Sequence, residues 1–265
     1  EQVASGGMGD SRNSQFFSLA EFDNQIFAGT WSYTNTHAAE IWKSSTGNAG
    51  DWTQVATNGI GDEANRAILN MQEMDGTLYA STRSQLGNGA DIWRYDGVNW
   101  SAVITDGFGY TGTYDIAALE VFSDHLYAGT GRYDDVTQSY PGGQLWRCPR
   151  ISGCDAASDW QVVIADGFGN ANNLNITSLL VFDSHLYAVV TNFESGLEIW
   201  RSGDGETWSQ IGHAGFGDSN SGSPYWDNGT AIFNGSFFVG LVNNASAGKV
   251  WQFLANNVFL PNVKR

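Results

Sequence analysis

Short apolar runs broken by tight polar turns set the pattern of this chain, and residues 176–217 show it most completely. Residues 176–182 are apolar and rich in β-branched side chains, Asp183 and Ser184 form a two-residue turn, and 185–191 (HLYAVVT) follow. A short loop leads to 197–202 (LEIWRS), a tight turn over 203–206 and 207–212 (TWSQIG), and Gly215-Phe216-Gly217 closes the unit. β-Branched and aromatic runs separated by Asp, Ser and Gly predict a four-stranded antiparallel meander.

The pattern recurs along the chain. A second-strand signature stands at 26–30 (IFAGT), 78–82 (LYAST), 126–130 (LYAGT), 186–190 (LYAVV) and 237–240 (FFVG). A third-strand tryptophan stands at Trp42, Trp93, Trp146, Trp200 and Trp251, and a fourth-strand one at Trp52, Trp100, Trp160 and Trp208. A G-x-G triplet ends at Gly9, Gly61, Gly109, Gly169 and Gly217. Four strands repeating every fifty or so residues specify a β-propeller. The count gives five blades, at about 15–56, 66–104, 114–164, 175–212 and 229–253. Residues 1–5 precede the first G-x-G as 209–212 precede the last. They are therefore expected to supply the fourth strand of the last blade and to close the ring, which removes its open edges. Residues 254–265 are left as a C-terminal tail. The chain is thus read as one all-β domain, a five-bladed β-propeller of four-stranded antiparallel blades.

The unit LYAGT…EIWRS-x-DG-x-x-W…DGFG resembles a propeller repeat of exported bacterial proteins. Residues 202–208 (SGDGETW) resemble the Asp-box hairpin of sialidase-like propellers, one residue short, and 95–100 (YDGVNW) are a weaker copy. The five-blade count is similar to that of tachylectin-like lectins. The resemblance implies a fold and little function, because Asp-boxes are structural turns away from active sites.

Charge narrows the partners. Lys+Arg number 12 against 28 Asp+Glu, a net −16, which excludes the basic patch that nucleic acid requires and disfavours an anionic membrane surface. Uncharged ligands such as sugars, and cations, remain. No run of 18 apolar residues exists, so no membrane span is expected. The chain starts at Glu1 and is read as exported, with a leader already removed, to the extracellular space or cell surface. Cys148 and Cys154 are too few for a metal centre and are not spaced as a redox pair. They are expected to form a disulfide clamping a hairpin in an oxidising compartment.

In such a blade the first–second turns are short, while the second–third loops and the crossings between blades vary. Variable loops on a regular scaffold carry binding. That loop face holds Trp31, Tyr33, Tyr110, Tyr133, Tyr140, Phe193, Tyr225 and Trp226, interleaved with carboxylates that include Asp134 and Asp227. Aromatic planes beside carboxylates suit a sugar, and these ten residues are the expected ligand-binding set. Asp10, Asp62 and Asp218 recur at the crossings; they are candidate Ca2+ ligands, with Asx-turn capping as the plainer role. No cofactor other than Ca2+ is considered. Aligned first strands place Glu21 and Glu73 where other blades carry an apolar residue. Such a carboxylate pair is what a glycosidase needs, although a solvated strand end is the plainer reading.

Three functions are weighed. The leading expectation is a secreted, non-catalytic binding module, lectin-like, recognising carbohydrate or a surface protein. The second is a structural subunit of an extracellular assembly, which would require self-assembly. The third is a glycoside hydrolase using Glu21 and Glu73.

Overall fold

A computed structural model describes residues 1–34, 36–222, 229–243 and 245–254. Blade 1 comprises β1 (Gln15–Phe22), β2 (Gln25–Trp31), β3 (Ile41–Ser44) and β4 (Thr53–Ala56). Blade 2 follows with β5 (Asn65–Met74), β6 (Thr77–Ser84), β7 (Ile92–Tyr95) and β8 (Trp100–Ile104). Blade 3 has β9 (Thr113–Phe122), β10 (His125–Arg132), β11 (Leu145–Pro149) and β12 (Gln161–Ile164). Blade 4 has β13 (Asn173–Phe182), β14 (His185–Asn192), β15 (Glu198–Ser202) and β16 (Ser209–Gln210). In blade 5, β17 (Ser221–Gly222) and β18 (Thr230–Phe233) lie on one side of β19 (Ser236–Asn243), with β20 (Lys249–Leu254) on the other.

All ladders are antiparallel, as the alternating pattern requires. The first–second turns set the register. Asp23 and Asn24 (φ 49° and 56°), like Asp183 and Ser184 (φ 47° and 58°), are both left-handed. Two such residues make the type I′ hairpin that matches strand twist, and they pair Phe22 with Gln25 and Phe182 with His185. Single-residue bridges then join successive blades: Trp31 with Ala67, Arg83 with Asp115, and Gly131 with Asn175.

The apolar core is divided among the seams between blades. One cluster joins blades 1 and 2 around Phe27, Ile41, Ile68 and Leu78; further clusters fill the next three seams. The G-x-G turns explain the repeated tryptophans. Their first two residues are left-handed in every case, for example Gly107 and Phe108 at φ 66° and 61°. The second residue is thereby turned onto the following blade. Phe108 stacks on Trp146 at 4.4 Å, Phe168 on Trp200 at 4.6 Å and Phe216 on Trp251 at 4.4 Å. Trp160 and Trp208 then meet the same two phenylalanines, Phe108 and Phe168, edge-on.

A buried polar latch of asparagine, acid and tryptophan completes three of the crossings. Asn65 Nδ2 donates to Gly59 O at 3.0 Å and to Asp91 at 2.8 Å, and the Trp93 indole N–H donates to the same Asp91 oxygen. Asn13–Glu40–Trp42 and Asn173–Glu198–Trp200 repeat the arrangement.

The meeting of blade 5 with blade 1 differs from the other seams. Leu19, Phe233 and Val250 are 65%, 64% and 65% exposed, whereas their repeat equivalents (Met71, Leu119 and Leu179; Phe22, Met74, Phe122 and Phe182; Ile41, Ile92, Leu145 and Ile199) are at most 8% exposed. Residues 1–5 stand directly before the first G-x-G turn, in the place that β4 and β8 occupy before theirs. No ladder among the described residues pairs them with β20. The disulfide is formed: Cys148 and Cys154, both fully buried, are joined with Cα atoms 5.8 Å apart, between β11 and β12.

Candidate functional site

The loop-face ends of the inner strands converge on Asp115, the third residue of β9. Its carboxylate has no solvent exposure. Arg83 Nη1, at the end of β6, donates to both oxygens at 3.1 and 3.0 Å, and Asn175 Nδ2 from β13 donates at 3.2 Å. Burial outweighs these partners and pushes the Asp115 carboxyl up to about 6. Asn175 Oδ1 is buried with no hydrogen-bond partner among the described residues. Arg83 also lies over the rings of Trp31 and Tyr114, at 5.8 and 5.2 Å. Gly131 is required beside it, because a Cβ there would sit 2.8 Å from the Asn175 side chain.

The predicted aromatic set is only partly gathered here. Trp31 is buried beneath Phe17 and Tyr33, with ring centroids 5.5 and 4.6 Å away, so it supports the face more than it presents a surface. Tyr33 is exposed, and its hydroxyl accepts from Gln15 at 2.7 Å. A second group lies on blade 3. Tyr110 is covered by Arg132 at 4.7 Å, and Tyr133 and Tyr140 pack at 5.0 Å. Asp134 Oδ1 caps the amides of Val136 and Thr137, a turn role. Phe193 is exposed on the blade 4 loop. Tyr225, Trp226 and Asp227 lie outside the described residues.

Glu21 and Glu73 are brought together at the opposite end. They lie on the neighbouring inner strands β1 and β5 and line one depression of ≈ 600 Å³ with Asp23, Gly76 and Asp96. Glu73 Oε1 accepts the Gly76 amide at 2.7 Å, which fixes its carboxylate against the hairpin turn. Leu19 and Ile26 line an adjoining depression that shares Glu21.

Several desolvated acids were not singled out from the sequence. Glu120 on β9, half-buried, has a single hydrogen-bonded donor among the described residues, the Val121 amide at 3.1 Å, and desolvation raises it to about 7. Asp91, fully buried and with Oδ1 unpartnered, is raised to about 6 by the same cause. The available signal for the latch acids is their place two residues before the third-strand tryptophans Trp42, Trp93 and Trp200.

The crossing aspartates behave as Asx-turn caps. Asp62 Oδ1 accepts from Ala64 N at 2.8 Å, and Asp218 Oδ1 from Asn220 N at 3.0 Å. Asp10 caps Arg12 N in the same way but also lies beside His37 and Glu40.

No family model matches the sequence, and no curated protein matches it. Solved structures do match. A GH43_1 enzyme from Xanthomonas citri complexed with xylose superposes with a TM-score of 0.52 at 11% identity, covering 92% of this chain and 88% of that one. An α-L-arabinofuranosidase from Clostridium thermocellum gives 0.50 at 9%, covering 97% and 95%. A family-43 β-1,3-galactosidase with bound galactodeoxynojirimycin gives 0.51 at 8%, covering 92% of each chain. At these identities the likeness establishes the architecture, the five-bladed β-propeller. It also corrects the expectations of a non-catalytic, lectin-like module, of an assembly subunit and of no enzymatic activity. The matching folds are those of glycoside hydrolases. Those expectations rested on the sparseness of catalytic motifs, which is a weak ground where carboxylates from different blades, such as Glu21 and Glu73, meet without a contiguous motif.

Proposed function

We propose that the chain hydrolyses glycosidic bonds, with Glu21 and Glu73 as its carboxylate pair. One observation carries the reading: two glutamates from adjacent inner strands line a single depression within a fold shared with glycoside hydrolases. Hydrolysis of a glycoside needs one carboxyl that gives a proton and one that takes it. Glu73, held by the Gly76 amide, accepts a proton from the water that attacks the anomeric carbon. Glu21, beside the apolar Leu19 and Ile26, gives its proton to the departing glycosidic oxygen as the C–O bond breaks. Exchange with solvent then restores both groups.

Neutral pentosides and galactosides are the substrates to assay first, following the xylose-bound, arabinofuranosidase and galactosidase neighbours. Activity on such a panel is expected, with Glu21→Gln and Glu73→Gln each lowering kcat by about 10²-fold or more. The double variant should be little worse than either single one. Undiminished activity in the double variant would sink the assignment.

A second reading places the chemistry at Asp115. The orphaned Asn175 Oδ1 beside it calls for a hydroxyl donor, and Tyr33 and Phe193 are exposed at that end. Here Asp115→Asn, and not the glutamate variants, would abolish turnover. The loop-face aromatics then hold the glycan; under the first reading they form a remote binding surface. Export is supported by the disulfide, and no described helix is long and apolar enough to cross a membrane. Any Ca2+ role for Asp10, Asp62 and Asp218 would show as a Tm of the chelator-stripped chain raised by added Ca2+.

A further inference from the structure

We infer that Asp10, His37 and Glu40 form a binding site for a divalent transition-metal ion, with Zn2+ as the fitting case. Two separate segments bring the residues together: the first crossing, which supplies Asp10, and the second–third loop of blade 1, which supplies His37 and Glu40. One donor atom from each residue lies within 4.8 Å of the others. His37 and Glu40 are each only 8% exposed. His37 Nδ1 is 4.0 Å from Asp10 Oδ2, and His37 Nε2 is 3.8 Å from Glu40 Oε1. Adjacent donors around a tetrahedral Zn2+ stand about 3.3 Å apart, so a cage whose donors lie up to 4.8 Å apart needs to contract by as much as about 1.5 Å at its widest.

Two further observations point to a cation. The first is the unequal use of the Glu40 oxygens. Oε2 takes both hydrogen bonds, from Asn13 Nδ2 at 2.7 Å and from the Trp42 indole at 3.0 Å. Oε1 accepts none among the described residues and faces the imidazole. The second comes from blade 5, where the repeat places Asp218 at the position of Asp10 and Lys249 at that of Glu40. There the Lys249 ammonium sits 2.8 Å from Asp218 Oδ2, so the equivalent cage already holds a cation of the chain itself. Blade 1 has a carboxylate in place of that lysine and adds an imidazole.

The outer contacts also suit a metal. His37 Nε2 lies 2.9 Å from Asn13 Oδ1, a bond that holds the ring by one nitrogen and leaves Nδ1 for the ion. Asn13 in turn orients Glu40. One imidazole and two carboxylates form a nitrogen–oxygen set that suits Zn2+, whereas Ca2+ takes six to eight oxygens. The competitor is Arg12, which binds Asp10 through Nε at 2.9 Å and must release it.

The test uses the full chain, stripped with chelator and titrated calorimetrically with Zn2+ alone and, separately, with Ca2+ alone. One Zn2+ per chain is expected, with no Ca2+ bound at the same concentrations. His37→Ala and Glu40→Gln should each weaken Zn2+ at least about tenfold, and Arg12→Ala should tighten it. The Co2+-loaded protein should show the visible absorption of a low-coordinate site, lost in His37→Ala. Circular dichroism melts establish that each variant is folded. Unaltered Zn2+ affinity in folded His37→Ala, no Zn2+ uptake by the wild type, weaker binding by Arg12→Ala or an equal preference for Ca2+ would each overturn the site.

Discussion

Glu198 shows how much a single side chain carries in this fold. One of its oxygens accepts from Asn173 Nδ2 and from the Trp200 indole, both at 2.9 Å, in a position only 7% exposed. Glu198→Ala would leave both donors buried without a partner, and a loss of about 2–4 kcal/mol is expected from chemical denaturation midpoints. Glu198→Gln, which keeps an acceptor, should cost clearly less. Such acids were not legible in the sequence. A glutamate two residues before a tryptophan reads as the solvent side of an alternating strand. What buries it is an asparagine 25 residues earlier, docked from the crossing. Glu21 and Glu73 stand out in the sequence because aligning the repeats shows them where other blades carry an apolar residue. Their sharing of one depression does not, since it depends on how two blades meet.

Elements were read more surely, because turns and strand alternation are local. The left-handed pairs at Asp23-Asn24 and Asp183-Ser184 follow from turn chemistry alone. In the turn at 202–208, Asp204 Oδ1 caps the amides of Glu206 and Thr207, and burying Gly205 beneath Tyr127 leaves no room for a Cβ, which would lie 1.9 Å from the hydroxyl. Gly205→Ala is therefore expected to shift this hairpin and lower Tm measurably. The disulfide spans six positions between β11 and β12. For so short a loop, chain-entropy arguments give about 2 kcal/mol. Reduction, or the Cys148→Ser/Cys154→Ser variant, should thus lower Tm by about 4–8 °C in a scanning melt. Residues 1–5 have the right place in the repeat for a fourth strand, but strand pairing is settled by the far end of the chain, and no described ladder joins them to β20.

At the scale of the molecule, desolvated acids set the response to pH. Asp91 and Asp115 are raised from 3.8 to about 6 and Glu120 from 4.5 to about 7, in each case chiefly by desolvation. Between those ordinary and raised values the folded chain holds protons that the unfolded chain has released. Stability therefore falls as pH rises from about 4 to about 7. Asp51, lowered to about 2 by the hydroxyls and amide around it, acts in the opposite sense, and its contribution is lost below about 4. The highest Tm is expected near pH 4–5, and Glu120→Gln should flatten the decline between about 5 and 7. A Tm that climbs towards neutrality would contradict this ordering.

The exposed Leu19, Phe233 and Val250 give the ring an unequal fifth joint. Among the described residues four joints are filled by apolar clusters and this one leaves side chains of the same positions uncovered, so cooperativity is expected to run along the chain as in a linear array of units. Blade 3, with filled neighbours on both sides, becomes the last region to open, and blades 1 and 5 fray towards it. Amide hydrogen exchange under native conditions should then rank β9 and β10 as the slowest and β1 and β18 among the fastest. A propeller of this kind melts like a zipper with two free ends, even though its outline is a wheel.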